Sequence, residues 1–297
     1  MLSSSTIDET LNLFLLHDKG DTRHRLWIRA CQNPILADKI RNMIEDIMQS
    51  GVCKSHRDVH NILSEHIRSK YGYYSSNWAF YNWFRGRYPI PLYVIKELLC
   101  AWKEICRKSD GEFLAVAQEL QKRIDYLQVA SGSNKVKTPI KLTDELAYFL
   151  GIIIGDGSLP NMRAPYICLK KGNKEFMEEI YPQLVARLFD IKIRTRYSYR
   201  DNTYDASFGS RVIFRYLTKI FRLPPGPKAK IAKIPRLVLL SRPSVKASFL
   251  RGFFDTDGGI SGGKEIEFST SSKKLFEGTQ KLLKEFGLNP RTYIHHD

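Results

Sequence analysis

Two aspartates 101 residues apart, Asp156 and Asp257, close two copies of one short pattern. The first copy is TDELAYFLGIIIGDGSL (143–159) and the second is SVKASFLRGFFDTDGGI (244–260). At this offset Gly151 meets Gly252, Asp156 meets Asp257 and Gly157 meets Gly258. A repeat with one helix per copy implies two similar halves packed pseudosymmetrically. Thr143 is a good N-cap, and Asp144 and Glu145 suit the positive end of a helix. The helix body, Leu146 to Ile154, is apolar nearly all round and is expected to be buried. Gly151 and Gly155 lie four apart on one face, with Gly252 and Thr256 as the matching small positions, and faces of this kind let two helices approach closely. Side by side, the helices bring Asp156 and Asp257 together at their C-terminal ends. The helix ends add partial negative charge there, and hard carboxylate oxygens suit Mg2+ or another divalent cation. Gly155 and Thr256, which precede the two aspartates, are counted in the same metal-holding set. Beside a phosphodiester, metal so held would activate water and stabilise the leaving oxygen.

The charge of the chain supports a polyanionic partner. Net charge is +16, which points to nucleic acid or an acidic membrane surface. It is uneven: residues 1–135 hold 19 Lys+Arg against 15 Asp+Glu, residues 136–297 hold 28 against 16, and 187–251 alone holds 16 against 3. A solvated basic face is the plain reading of single lysines, but so dense a stretch favours a phosphate-binding surface. Within it, residues 191–208 alternate: Ile191, Ile193, Thr195, Tyr197 and Tyr199 on one face, Lys192, Arg194, Arg196, Ser198 and Arg200 on the other. Asp201-Asn202 marks a hairpin turn. A two-stranded ribbon with an Arg/Lys face fits a major groove. RLPPGPKAKIAKIPR (222–236) adds a Pro/Gly loop whose Lys228 and Lys230 are expected to grip backbone phosphates. No run of about 18 apolar residues exists, so no membrane span is expected. The start has no signal-peptide pattern. Five scattered cysteines suit reduced thiols in the cytoplasm, on DNA when bound. Cys53, His56 and His60 lie close together but lack zinc spacing.

The elements that position these groups fall in two blocks. Helical spacing of apolar residues covers 35–49, 57–68, 91–105 and 112–128. ASGSNKVKTP (130–139) then reads as a linker. The expected organisation is an all-α domain at 1–129, the linker at 130–139 and an α+β domain at 140–297. In SSNWAFYNWFRGRYPIPLYVIKELL (75–99), Ser75 or Ser76 can cap a short helix through Trp83, Gly86 can end it, and Pro91 can open the next. This resembles the second half of a Cro/repressor-like helix-turn-helix, with a longer loop before the recognition helix. The resemblance covers about 40 residues. It implies that Asn77, Ala79, Phe80, Asn82 and Arg85, with Arg87 beside them, face a major groove. A plain helical bundle with those aromatics in its core is the alternative.

LGIIIGDGS and LRGFFDTDGG resemble the two signature helices of LAGLIDADG homing endonucleases. So do the connector KIPRLVLLSRPSVKASFLRGFFDTDG and the segment EIEFSTSSKKLFEGTQKLLKEFG, giving coverage of about 140–297. The resemblance implies a pseudosymmetric fold of two αββαββα-like halves, metal at Asp156 and Asp257, and double-stranded DNA as substrate. It places a basic residue near the scissile phosphate at Lys171, with Lys170 beside it, from YICLKKGNKEF. In EFSTSSKK of the second copy Ser271 stands where the base is wanted and Lys273 is offset, so the half-sites are unequal. Asp255 is expected to cap or pair locally. Only 40 residues follow Asp257, against about 66 needed after Asp156 for the hairpin and the helix SRVIFRYLTKIF. The second half is therefore expected to be incomplete: a fragment, a degenerate protein, or one completed by a second chain. Met1 and the ending His295-His296-Asp297 do not carry splicing ends of an intein. The expected activity is site-specific cleavage of duplex DNA. The alternative is a catalytically inactive DNA-binding regulator, or an RNA-intron maturase, on the same fold.

Overall fold

A computed structural model describes residues 10–16, 28–31, 33–73, 75–129, 134–160 and 165–293. Residues 1–9, residues 130–133 of the expected linker and the ending His295-His296-Asp297 lie outside the described residues. The chain divides into two units, Asn12–Ile140 and Lys141–Asp297, the second joined by Thr10, which bridges to Lys141. No helix among the described residues is long and apolar enough to cross a membrane.

In the first unit, a 3-10 turn (Leu13–Leu16) and strand β1 (Ile28–Ala30) precede α1 (Pro34–Gln49) and α2 (His56–Tyr71). Then come α3 (Asn77–Phe84), β2 (Ile90–Pro91), α4 (Leu92–Ile105), α5 (Asp110–Lys122) and β3 (Leu127–Val129). The caps follow local chemistry. Ser55 and Ser76 accept from backbone nitrogens to start α2 and α3, and Gly72 ends α2 in the left-handed region at φ 69°. Ser109 and Glu112 close a capping box on α5. The domain is not all-α. Strands β2-β1-β3 form a small antiparallel sheet, with Arg29 opposite both Pro91 and Gln128. The helix expected through 128 stops at Lys122, and Pro91 caps α4 instead of opening it. Strands of two or three residues are too short to display an alternation, so the sequence pattern hides them. Val136 bridges Leu127 and is buried, so the second half of the expected linker is folded back on the sheet.

The second unit is α+β. It opens with α6 (Asp144–Ile154), capped by Thr143, whose hydroxyl accepts from Leu146 N. β4 (Tyr166–Ile167) and β5 (Lys170–Lys171) follow, then a π-helical turn (Phe176–Ile180) leading into α7 (Tyr181–Phe189). β6 (Arg196–Ser198), β7 (Thr203–Asp205) and β8 (Phe208–Gly209) come next, then α8 (Arg211–Arg215) and the short α9 (Arg236–Leu239). β4 pairs β8, and β5-β7-β6 form the adjoining sheet, all antiparallel. The second half holds α10 (Pro243–Asp257), the hairpin β9 (Gly258–Ser261) and β10 (Glu265–Phe268), and α11 (Lys273–Glu285). Among the described residues no strand follows α11, so the hairpin has no counterpart of β6 and β7 beside it.

Candidate active site

The site is built on the contact between α6 and α10. Leu146, Ala147, Phe149, Leu150 and Gly151 through Ile154 are all buried, as are Phe249, Gly252, Phe253 and Thr256 on the partner helix. The approach is set by glycine. A Cβ added at Gly151 would lie 2.2 Å from the Phe249 carbonyl oxygen, and one at Gly252 would lie 2.1 Å from that of Tyr148. One added at Gly155 would meet the Thr256 hydroxyl at 2.0 Å. Backbone therefore touches backbone, and no residue with a side chain fits. Tyr148 of α6 ties the pair laterally by donating to Asp255 Oδ2 at 2.7 Å. Asp255 thus pairs across the two helices as well as along its own. Arg251 stands 3.8 Å from the same carboxylate.

This packing sets Asp156, just past the end of α6, against Asp257, the last residue of α10. Burial and the neighbouring Asp156 carboxylate push the Asp257 carboxyl above its usual range, while Lys228 and Lys171 pull it back. Lys171, on β5, places its ammonium 3.0 Å from Asp156 Oδ2 and donates to the Thr256 carbonyl at 3.1 Å. One cation thus joins the aspartate of one half to the backbone of the other. Lys228 comes in from the connector between the halves. Its ammonium donates to the carbonyls of Ile153, at 2.9 Å, Ile154 and Gly155, the open end of α6. Burial lowers its pKa to about 8 against the opposing pull of Asp257 and Asp156.

The chemistry of this set is that of a cation site. Two carboxylates in mutual repulsion stand beside the Gly155 and Thr256 carbonyls at helix ends carrying partial negative charge. The oxygens already accept two ammonium groups. They are hard donors, and the crowding that raises the Asp257 pKa is what a divalent cation relieves. The donor set fits such an ion.

Lys171, expected from the sequence, is at this site, but Lys228 is not where it was expected. It was read as a phosphate grip on an outer loop, yet it is largely buried on the end of α6. Nothing in PPGPKAKIAKIPR separates Lys228 from Lys230 or Lys233; only the packing selects it. Lys230 is exposed. Lys170 faces away from the aspartates, toward Asp205 at 3.7 Å and Asp201 at 4.0 Å. Lys192, Arg194, Arg196 and Arg200 are all exposed as the alternation predicts, but pairing starts only at Arg196. Tyr197 and Tyr199, assigned to the inner face, are exposed and pack on each other with ring centroids 4.8 Å apart. They lie beside the turn at Asn202, whose φ of 51° is left-handed. On α3, Asn77, Arg85 and Arg87 are exposed, whereas Asn82 and Phe80 are buried, and Asn82 donates to the Trp78 carbonyl. Asn82 is therefore no groove reader. The aromatic residues Phe80, Trp83 and Phe84 take the inner face of this helix and turn Asn82 in with them.

Residues 244–297, which run from α10 with Asp257 through α11, match the family model described as a LAGLIDADG-like domain. Over this stretch the chain is similar to that family. The resemblance read from the two signature helices is borne out over the second of them. A probable translation initiation factor IF-2 from Thermococcus kodakarensis is 29% identical over 200 residues, covering 64% of this chain and 16% of that protein. A glutamine–fructose-6-phosphate aminotransferase from Methanocaldococcus jannaschii is 31% identical over 209 residues, covering 65% of this chain and 18% of that one. The chain thus spans under a fifth of the length of these curated relatives. Among solved structures it is similar to the homing endonuclease I-DmoI in complex with DNA and Mn, at 15% identity and a TM-score of 0.41, over 52% of this chain and 85% of that one.

Proposed function

We propose that the LAGLIDADG-like domain cuts double-stranded DNA at a specific site, by hydrolysis of phosphodiester bonds with a divalent cation, Mg2+ in the first place. The observation that carries this reading is the pairing of Asp156 and Asp257 at the ends of two glycine-packed helices, with Lys171 on Asp156 and the Thr256 carbonyl and Lys228 on the carbonyls that end α6. Asp156 and Asp257 would hold the metal, together with the Gly155 and Thr256 carbonyls. When bound, the metal supplies Lewis acidity at the phosphate and a more acidic attacking water. Lys171 would donate where negative charge grows on the phosphate oxygens, with the Lys228 charge fixed beside it on the end of α6, and groups held in place this way are effective because they need no rearrangement. Lys171 comes from the first half and Lys228 from the connector, so neither cation is supplied by the second half, which supports unequal chemistry on the two strands. The exposed Lys192, Arg194, Arg196 and Arg200 would lie along the duplex, with Lys230 on backbone phosphate. The first unit adds nucleic-acid affinity through Asn77, Arg85 and Arg87.

About two thirds of the chain is similar to short portions of a translation factor and an aminotransferase, whose names share no activity. That distribution supports a mobile module carried inside unrelated hosts, of intron or intein type.

Asp156→Asn and Asp257→Asn test the reading. Each variant should lose cleavage of a plasmid library of randomised duplex sites in Mg2+ while keeping duplex binding in Ca2+. An Asn variant that cuts the library at the parent rate would overturn the assignment.

A further inference from the structure

The outer face of α3 is built differently from a groove-reading helix. Trp78 is 67% exposed, Tyr88 50% and Tyr81 42%. They form one surface: the rings of Trp78 and Tyr88 stand 5.9 Å apart. The Arg85 guanidinium lies 4.2 Å over the Tyr81 ring and that of Arg87 5.5 Å over it. Residues 77, 78, 81 and 85 fall on consecutive turns of the same helical face. The charge around them is one-sided, since no Asp or Glu occurs between Glu65 and Glu97. A large aromatic patch left in water marks an interaction site, and the acid-free basic surround fits a polyanion.

Which nucleic acid fits follows from the side chains. A helix in the major groove reads base edges with polar forks from several turns. Here Asn82 is buried, the guanidinium groups of Arg85 and Arg87 are both drawn over the Tyr81 ring, and Asn77 is left as the polar reader on the helix. Exposed aromatic rings with stacked arginines offer instead flat faces for bases that have left the helix. We infer that Trp78, Tyr81 and Tyr88, with Arg85 and Arg87, form a stacking platform for unpaired nucleobases of a single-stranded segment. The platform is independent of the aspartate site, so the two readings stand or fall separately.

The test uses the full chain and strands of about 12 nucleotides, DNA and RNA, each carrying one 2-aminopurine, with the matching blunt duplex as the comparison. Binding is read by anisotropy at a fixed salt of about 0.3 M, where the phosphate contribution is weak. Stacking is read as quenching of the 2-aminopurine. Trp78→Ala and Tyr88→Ala should each weaken single-strand binding by about 5- to 150-fold, the range of one lost base stack. They should remove the quenching and leave the duplex affinity unchanged within about twofold. Trp78→Phe should restore most of the quenching, which a merely structural residue would not do. DNA and RNA strands affected alike point to the base faces, and a loss confined to one narrows the ligand to that strand. Equal loss on strand and duplex would overturn the platform in favour of groove or phosphate contact. No change on any probe would overturn it in favour of a protein partner. Cleavage by the Asp156 and Asp257 site, measured on the same variants, keeps the two readings distinguishable.

Discussion

The space at Gly151 is closed by the backbone of α10, and Gly151→Ala tests whether that contact positions the aspartates. The added Cβ would stand 2.2 Å from the Phe249 carbonyl oxygen and 2.7 Å from the Phe253 nitrogen. Ordinary carbon–oxygen contacts begin near about 3.3 Å, so α6 and α10 must part by about 1 Å. Both obstacles are backbone, and no flexible side chain can give way. Overpacking of this kind costs about 1–3 kcal/mol, and more when nothing yields, while alanine regains about 1 kcal/mol of helix propensity over glycine. A net loss of about 2 kcal/mol follows. For a unit of this size that corresponds to roughly 4–8 °C in the calorimetric transition. The same displacement moves Asp156 away from Asp257, and a 1 Å error at a reacting centre costs on the order of 100-fold in rate. Gly259→Ala is the control: nothing lies within 4 Å of its added carbon and its φ is not positive. It should stay within about 0.5 kcal/mol of the parent. If Gly151→Ala melts and cuts like Gly259→Ala, the close helix contact does not hold the site together.

Two further outcomes follow from buried groups. Lys228→Gln removes the cation from the end of α6 and from beside both carboxylates, so single-turnover cleavage should fall on the order of 100-fold with duplex affinity nearly unchanged; a rate within twofold of the parent would remove Lys228 from the site. His60 is buried against Phe80, ring centroids 5.3 Å apart, and burial lowers its pKa from 6.5 to about 4. The unfolded chain then binds the extra proton between these values, so His60 contributes stability that is present above about pH 6.5 and lost as pH falls toward about 4, in all about 2–3 kcal/mol. His60→Phe should flatten the denaturant-measured stability over that window, and an unchanged slope would show that other groups carry it.

Much of the second unit was legible because its information is local and repeated. The offset of the two copies, the N-cap at Thr143, the apolar body of α6 and the small residues at 151, 155, 252 and 256 each state a physical requirement that needs no other part of the chain. The pairing of Asp156 with Asp257 follows once the two helices are laid together, whereas Lys171 was named only through the family resemblance of YICLKKGNKEF. In the first unit the serine cap of α3 and the glycine turn after it were equally readable, since a cap is decided within four residues.

What sequence could not decide was which way a side chain faces where periodicity is ambiguous or the partner lies far along the chain. α3 is aromatic nearly all round, so nothing in NWAFYNWF says that Phe80 and Asn82 go inward and Trp78 and Tyr81 outward; the neighbouring helices decide that. Lys228 has the same neighbours as Lys230 and Lys233 yet ends up on the carbonyls of Ile153 to Gly155, because the connector happens to pass under the end of α6. Strands of two or three residues exist only as pairings, and β1, β2 and β3 come from positions some 60 and 37 residues apart. Local chemistry sets caps and helix faces within a few residues, whereas burial, and with it the state of a charge, is a property of everything packed around it.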